Sequence, residues 1–225
     1  NGNTIVQYDW TDIAKLNYIY DKGTESDPIL NLAFNYLSYL GTPTRTAEEI
    51  AEEMYQLACS FSLRAGSSST NIAVNGLDEN LPKAMEIVED LIYNAVPDET
   101  ILENLKTDML KSRTDAKLNQ SSCFNALQRY VMYGPDFITK TTICNEELKN
   151  LTSEELLGTI RNLMECEHEI LYYGPSSEKE LKAVIAENHK TASDLIPLKK
   201  SYAIYQQTPA DKVYLVQYDA KQLYY

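Results

Sequence analysis

The chain has 225 residues, 44% hydrophobic and 24% charged, with a net charge of −13. That composition suits one large globular domain, or one and a fraction, and excludes a disordered chain. The acidity argues against nucleic acid and anionic membranes as partners, and no apolar run nears the ~20 residues that would allow membrane insertion.

The opening Asn1-Gly2-Asn3-Thr4 has neither a basic nor an apolar leader region, so no signal peptide is expected within this stretch. Residues 4–8 and 15–20 are rich in β-branched and aromatic residues and read as strands. Asp27-Pro28 offers an N-cap with proline at the first helical position, and the helix expected to follow runs to about Leu40. It is apolar on nearly all sides, as a buried helix is, and Gly41 closes it.

Thr46 and Glu49 form a T-x-x-E capping box for a helix reaching about Ala58. Two alternating segments around Phe61, Leu63, Ile72 and Val74, joined by Gly66-Ser67-Ser68-Ser69, predict a β-hairpin. Over 80–94 the stripe Leu81, Ala84, Met85, Val88, Leu91, Ile92 predicts an amphipathic helix with Lys83, Glu86, Glu89 and Asp90 on its polar face. Pro97-Asp98 starts another, to about Lys117, with Leu102, Leu105 and Met109 inward.

Further helices are expected over 121–132, 146–150, 153–165 and 177–188, the last two opened by Thr152–Glu155 and Ser177–Glu180 boxes. A strand is expected at 168–173. Residues 1–189 thus form the main domain, and 190–211, without periodicity, read as a linker. A new strand is expected from Lys212 to Tyr218. Val6-Gln7-Tyr8-Asp9 recurs as Val216-Gln217-Tyr218-Asp219, which suggests that 212–225 opens a second copy of the unit.

Hairpins interleaved with helix pairs indicate an α+β fold: a mostly antiparallel sheet carrying its helices on one face. The four cysteines include no C-x-x-C pair, so no structural zinc site is expected, and buried thiols are the simpler reading than two disulfides. Strand propensity accounts for most of the seventeen tyrosines.

The stretch Leu32-Ala33-Phe34-Asn35-Tyr36-Leu37-Ser38-Tyr39-Leu40-Gly41-Thr42 resembles the signature helix of the insulinase/pitrilysin/mitochondrial-processing-peptidase family of zinc metallopeptidases, where an inverted zinc motif H-x-x-E-H precedes a Gly-Thr pair. The resemblance continues through Thr46-Ala47-Glu48-Glu49-Ile50, the hairpin with Asn75-Gly76-Leu77, the helices at 80–94 and 98–117, Tyr133-Gly134-Pro135 and Leu151-Thr152-Ser153-Glu154-Glu155.

Anchored on Gly41-Thr42, the family's first histidine falls on Leu32, its glutamate base on Asn35 and its second histidine on Tyr36. Ligands at i and i+4 share one helix face and can grip one zinc while the glutamate activates water. Leucine has no lone pair, a phenol is a poor ligand at neutral pH, and an amide cannot take a proton as a carboxylate would. The third ligand, a glutamate on a later helix, falls on Met109 or within a residue of it, with Asp108 and Glu103 the nearest acids. No metal or cofactor is therefore expected in this chain, and zinc is expected in another domain of a parent protein.

The resemblance implies a catalytically silent domain that completes a substrate chamber and contacts peptide, its partner being a zinc-bearing domain of the same chain or complex. The alternative is an assembly or scaffold subunit with no proteolytic role. Relatives in bacteria imply a periplasmic or cell-envelope location. The family's substrate-steadying arginine and tyrosine are not placed here; Arg129-Tyr130 lies in the wrong region. His168 and His189 read as a structural residue and a helix-end cation, and no nucleophile elbow, P-loop or dinucleotide fingerprint occurs. The carboxylates Glu48, Glu49, Glu52 and Glu53 read as a solvated helix face.

Overall fold

The computed structural model describes residues 12–199, 204–206 and 210–218, and residues 4–8 as backbone. Strands β1 (Thr4–Tyr8) and β2 (Ile13–Tyr20) are followed by helices α1 (Leu30–Leu37) and α2 (Ala47–Gln56). The hairpin β3 (Cys59–Ala65) and β4 (Thr70–Leu77) comes next, then α3 (Leu81–Asn94) and α4 (Glu99–Ala116). Helices α5 (Gln120–Tyr133), α6 (Asp136–Thr141), α7 (Asn145–Asn150) and α8 (Ser153–Met164) precede β5 (Glu169–Gly174) and α9 (Glu178–Asn188).

One sheet of order β1-β5-β2-β4-β3 collects all five strands. Every pair is antiparallel except β1 with β5. The first two strands therefore do not pair with each other: β5, the last strand in sequence, lies between them. Along β2, Ala14, Leu16, Tyr18 and Tyr20 are buried while alternate residues are not, the period-2 pattern of a sheet covered on one face. Ile170 and Tyr172 of β5 join them, and α1, α3 and α8 close over this layer in one hydrophobic core. Each fully buried leucine, such as Leu16 or Leu30, contributes about 2 kcal/mol. On the opposite face Ile13 and Leu171 stay exposed. This is the α+β class expected, with its helices on one side.

The capping boxes at Thr46–Glu49, Thr152–Glu155 and Ser177–Glu180 are all formed, and a fourth, Cys144–Glu147, opens α7. Asp98 caps α4 by accepting from Thr100 N and Ile101 N. Helix α1 is shorter than the sequence suggests. It begins at Leu30, because Asp27 instead accepts from Ile29 N within a turn, and its last turn tightens into i→i+3 bonds at Tyr39 and Leu40 before Gly41. Gly76 enters the hairpin at φ +154°, where a Cβ would sit 2.5 Å from the Ala58 carbonyl oxygen.

The tail departs most from expectation. Residues 190–199 are pinned, since Glu167 N donates to Ile196 O and Ile196 N to Glu165 O, both at 2.9 Å. Residues 212–218 form no strand, because no ladder stands beside them to supply backbone partners. They run past α5, where Tyr214 meets the Tyr130 ring edge-on at 6.0 Å and the Tyr218 hydroxyl donates to Leu118 O. Asp9, Asp219 and residues 200–203 and 207–209 of the expected linker lie outside the described residues. Cys59 and Cys166 are buried thiols, while Cys123 is half-buried and Cys144 exposed.

Candidate functional site

Helix α1 places its motif positions on two different faces. Leu32 and Tyr36, one turn apart, both point into the core at 3% and 0% exposure. The Tyr36 phenol oxygen accepts from Asp98 N at 2.8 Å and lies 2.9 Å from Ser153 Oγ and 3.1 Å from Asp98 O. One hydroxyl thus joins α1 to the N-cap of α4 and the first residue of α8. Asn35 faces outward. With Asn31 and Phe34 of α1, its C-cap Ser38, and Phe61, Ser62 and Leu63 of β3 it lines an open cleft of about 370 Å³.

Met109 is half-buried on α4 and packs against the core, one stripe with Leu102. Asp108 and Glu103 are exposed, and Glu103 is paired with Lys106 Nζ at 2.7 Å. These residues do not fit a zinc ion: Leu32 offers no donor, the Tyr36 oxygen is committed to Asp98 and Ser153, and Met109 supplies a thioether from within a packed stripe. Among the described residues no cluster of three or more His, Cys, Asp or Glu is placed to hold a metal.

The Gly41-Thr42 pair that follows α1 is structural. Gly41 O accepts from Val96 N at 2.9 Å, and a Cβ at Gly41 would meet the Arg45 carbonyl oxygen at 2.5 Å. Arg45 reaches Glu53 at 3.1 Å and Asp90 at 3.0 Å, tying the loop to α2 and α3. Burial acts to raise the Asp90 carboxyl, but hydrogen bonds from Asn94, Thr42 and Arg45 outweigh it and hold the group below its ordinary 3.8.

Strand β3 lies at the end of the sheet, so its outer backbone groups have no strand partner among the described residues. Phe61, Ser62 and Leu63 of this strand also line the cleft. Such an edge can accept an extended peptide by main-chain hydrogen bonding, with adjoining hollows taking alternate side chains.

Sequence reading missed one constellation. Glu89, expected on the polar face of α3, is 6% exposed, and its carboxylate meets the buried imidazole of His189, which in turn meets His168. The signal was available: Glu89 stands four residues after Met85 and three before Ile92, in register with the apolar stripe. Arg129-Tyr130 lies on α5, none of whose residues is buried.

No family model matches the sequence. A curated protein of Rickettsia felis named "Uncharacterized zinc protease" is 31% identical over 103 residues, 43% of this chain and 25% of that protein. One of the same name from Rickettsia bellii is 31% identical over 101 residues, 42% of this chain and 24% of that one. The chain thus spans about a quarter of the length of these curated relatives.

Among solved structures, the ferredoxin protease FusC, as a point mutant in complex with Arabidopsis ferredoxin, superposes with a TM-score of 0.76 at 11% identity, covering 91% of this chain and 23% of that one. The periplasmic protease PqqL of Escherichia coli gives 0.74 at 14% identity, over 88% of this chain and 23% of that one. A peptidase M16 inactive domain from Pseudomonas fluorescens gives 0.67 at 14% identity, over 82% of this chain and 46% of that one. The fold is that of M16 peptidase domains, and the relatives named zinc protease agree with the insulinase-type resemblance of the sequence.

Proposed function

We propose that this chain is a non-catalytic domain of a zinc metalloendopeptidase of the insulinase/pitrilysin type. It completes the substrate chamber and contacts peptide, while zinc and its general base reside in another domain of the same chain or complex. The observation that carries this reading is the placement of Tyr36: the side chain at a zinc-ligand position is fully buried and bonded to the starts of α4 and α8. Relatives named zinc protease, and a fold shared with an inactive domain, support it.

Peptide contact is assigned to the β3 edge and the cleft between Asn35 and Phe61. There an extended segment adds a strand to the sheet and drops side chains against Phe61 and Leu63. The acidity of the chain favours basic peptide through long-range attraction. The repeated Val-Gln-Tyr-Asp supports a second copy of the unit beyond 212. Likeness to a periplasmic protease supports a periplasmic setting for the parent. No helix among the described residues is long and apolar enough to cross a membrane.

The test is amide exchange on this chain with and without a short, extended, basic peptide, alongside a cleavage assay of the same mixture. Protection gained within 59–65, with the peptide left intact, is the expected result. Chelator-sensitive cleavage by the chain alone would overturn the reading, and so would peptide protection confined to other elements.

A further inference from the structure

We propose that Glu89, His168 and His189 form an acid-released clasp that holds the end of α9 and the 189–199 segment against the helix-covered side of the sheet. The clasp is independent of the functional reading above and follows from a count of protons.

Three side chains from three places in the sequence meet in the core. Glu89 comes from α3, His168 from the connection between α8 and β5, and His189 from the C-terminal end of α9, with exposures of 6%, 7% and 8%. His189 Nδ1 lies 2.5 Å from Glu89 Oε1, and His189 Nε2 lies 3.0 Å from His168 Nε2. His168 Nδ1 lies 3.0 Å from the Cys166 carbonyl oxygen. A carbonyl oxygen only accepts, so His168 Nδ1 carries a proton. The nitrogen pair and the nitrogen–carboxylate pair hold one each.

Three contacts thus hold three protons, and a fourth cannot be added without weakening one of them. Placed between the two Nε2 atoms, it would set two N–H groups against each other across 3.0 Å. A proton on the second carboxylate oxygen, Glu89 Oε2, would discharge the carboxylate that receives the Lys190 amide at 3.4 Å and faces His189, and so would also weaken the clasp. The Tyr18 hydroxyl, also buried, bonds to none of these groups.

The surroundings leave the triad to take up any added proton. From β2, Tyr18 stacks on the His189 ring at 4.4 Å and Tyr20 lies 4.8 Å from the His168 ring. Burial pushes both phenols far up. From α3, the Tyr93 phenol is pushed up to about 12, chiefly by burial. From the α8–β5 connection, burial raises the Cys166 thiol, with Lys22 beyond β2 and the carboxylate of Glu165 acting on it more weakly. Lys190, the cation next to His189, lies over the Tyr93 ring at 4.6 Å.

Burial holds the His168 imidazole below its ordinary 6.5. A depressed folded value means the contribution to stability is intact above 6.5 and is lost as pH falls through the lower folded value. Opening the segment returns the ring to water, where it takes the proton readily. Release should therefore occur on the acid side of 6.5. The segment's other ties are the two backbone bonds at Ile196, the His189 amide on Ile185 O, the Tyr93 hydroxyl donating to Lys190 O at 3.3 Å with Lys190 over the Tyr93 ring, and Leu198 packed against the core.

The test is amide exchange on the full chain between about pH 7.5 and about pH 5, corrected for intrinsic rates. Protection at Glu167, His189 and Ile196 should be lost toward pH 5, while β2 and β4 stay protected. His168→Gln offers an amide oxygen to His189 Nε2 and does not titrate, so the acid-dependent loss should vanish. Unchanged protection across the range in the native chain, or the same loss in His168→Gln, overturns the clasp. Imidazole nitrogen NMR on the native chain gives a reading that needs no variant. Protonation of His168 Nε2 must coincide with loss of Ile196 protection, and protonation without that loss overturns the clasp.

Discussion

The Tyr36 phenol oxygen accepts the Asp98 amide at 2.8 Å, so a side chain of α1 holds the N-cap of α4. Replacing Tyr36 with Phe keeps the ring and removes only this anchor. The Asp98 amide, and Ser153 Oγ at 2.9 Å, then lose their partner. Leaving such groups unsatisfied costs roughly 1–3 kcal/mol, to be read as a lower urea midpoint at unchanged slope.

Asn35 is exposed and lines the cleft beside β3. Asn35→Trp should leave stability within about 0.5 kcal/mol, as exposed substitutions do, while filling the cleft. Binding of an extended basic peptide, followed by fluorescence or calorimetry, is expected to weaken strongly. Undiminished binding would place the peptide elsewhere.

Gly76 sits at φ +154° opposite Cys59, where a Cβ would meet the Ala58 oxygen and Cys59 Sγ at 2.5 Å. Gly76→Ala should destabilise by about 1–3 kcal/mol from backbone strain alone, measured by thermal or urea unfolding.

Asp90 is held below 3.8 by its hydrogen bonds from Asn94, Thr42 and Arg45 despite the opposing effect of burial. A depressed folded value contributes stability that is present above 3.8 and lost as pH falls through the folded value. Asp90→Asn should therefore be less stable than the native chain at pH 7. The gap should narrow as pH drops below about 4, in urea titrations at several pH values.

The parts of the fold legible in the sequence are those fixed by local chemistry. The boxes at Thr46, Thr152 and Ser177 form, because each is closed by two bonds between residues three apart. The hairpin around Gly66 forms because alternation and turn agree. The insertion of β5 between β1 and β2 had no local signature, since strand order is decided by packing across the whole chain. Residues 212–218 carry strand composition without forming a strand, as propensity gives no ladder by itself.

The motif positions could be located by alignment on Gly41-Thr42, but their directions could not. Leu32 and Tyr36 turn inward and Asn35 outward, a consequence of helical spacing combined with which face the core claims. The Glu89–His189–His168 cluster escaped because its members lie 100 and 21 residues apart, and only Glu89, by its place in the apolar register of α3, carries a local signal.

Zinc content is the sharpest discriminator between a silent domain and a working one. The chain is equilibrated with excess zinc, passed through chelator-free buffer, and analysed by elemental mass spectrometry. If Leu32, Tyr36 and Met109 stand at the ligand positions, as proposed, no tightly retained zinc is expected. One zinc retained per chain, and lost on substitution of Asn35 or Tyr36, would show that a metal site survives on α1 and that the domain is not silent.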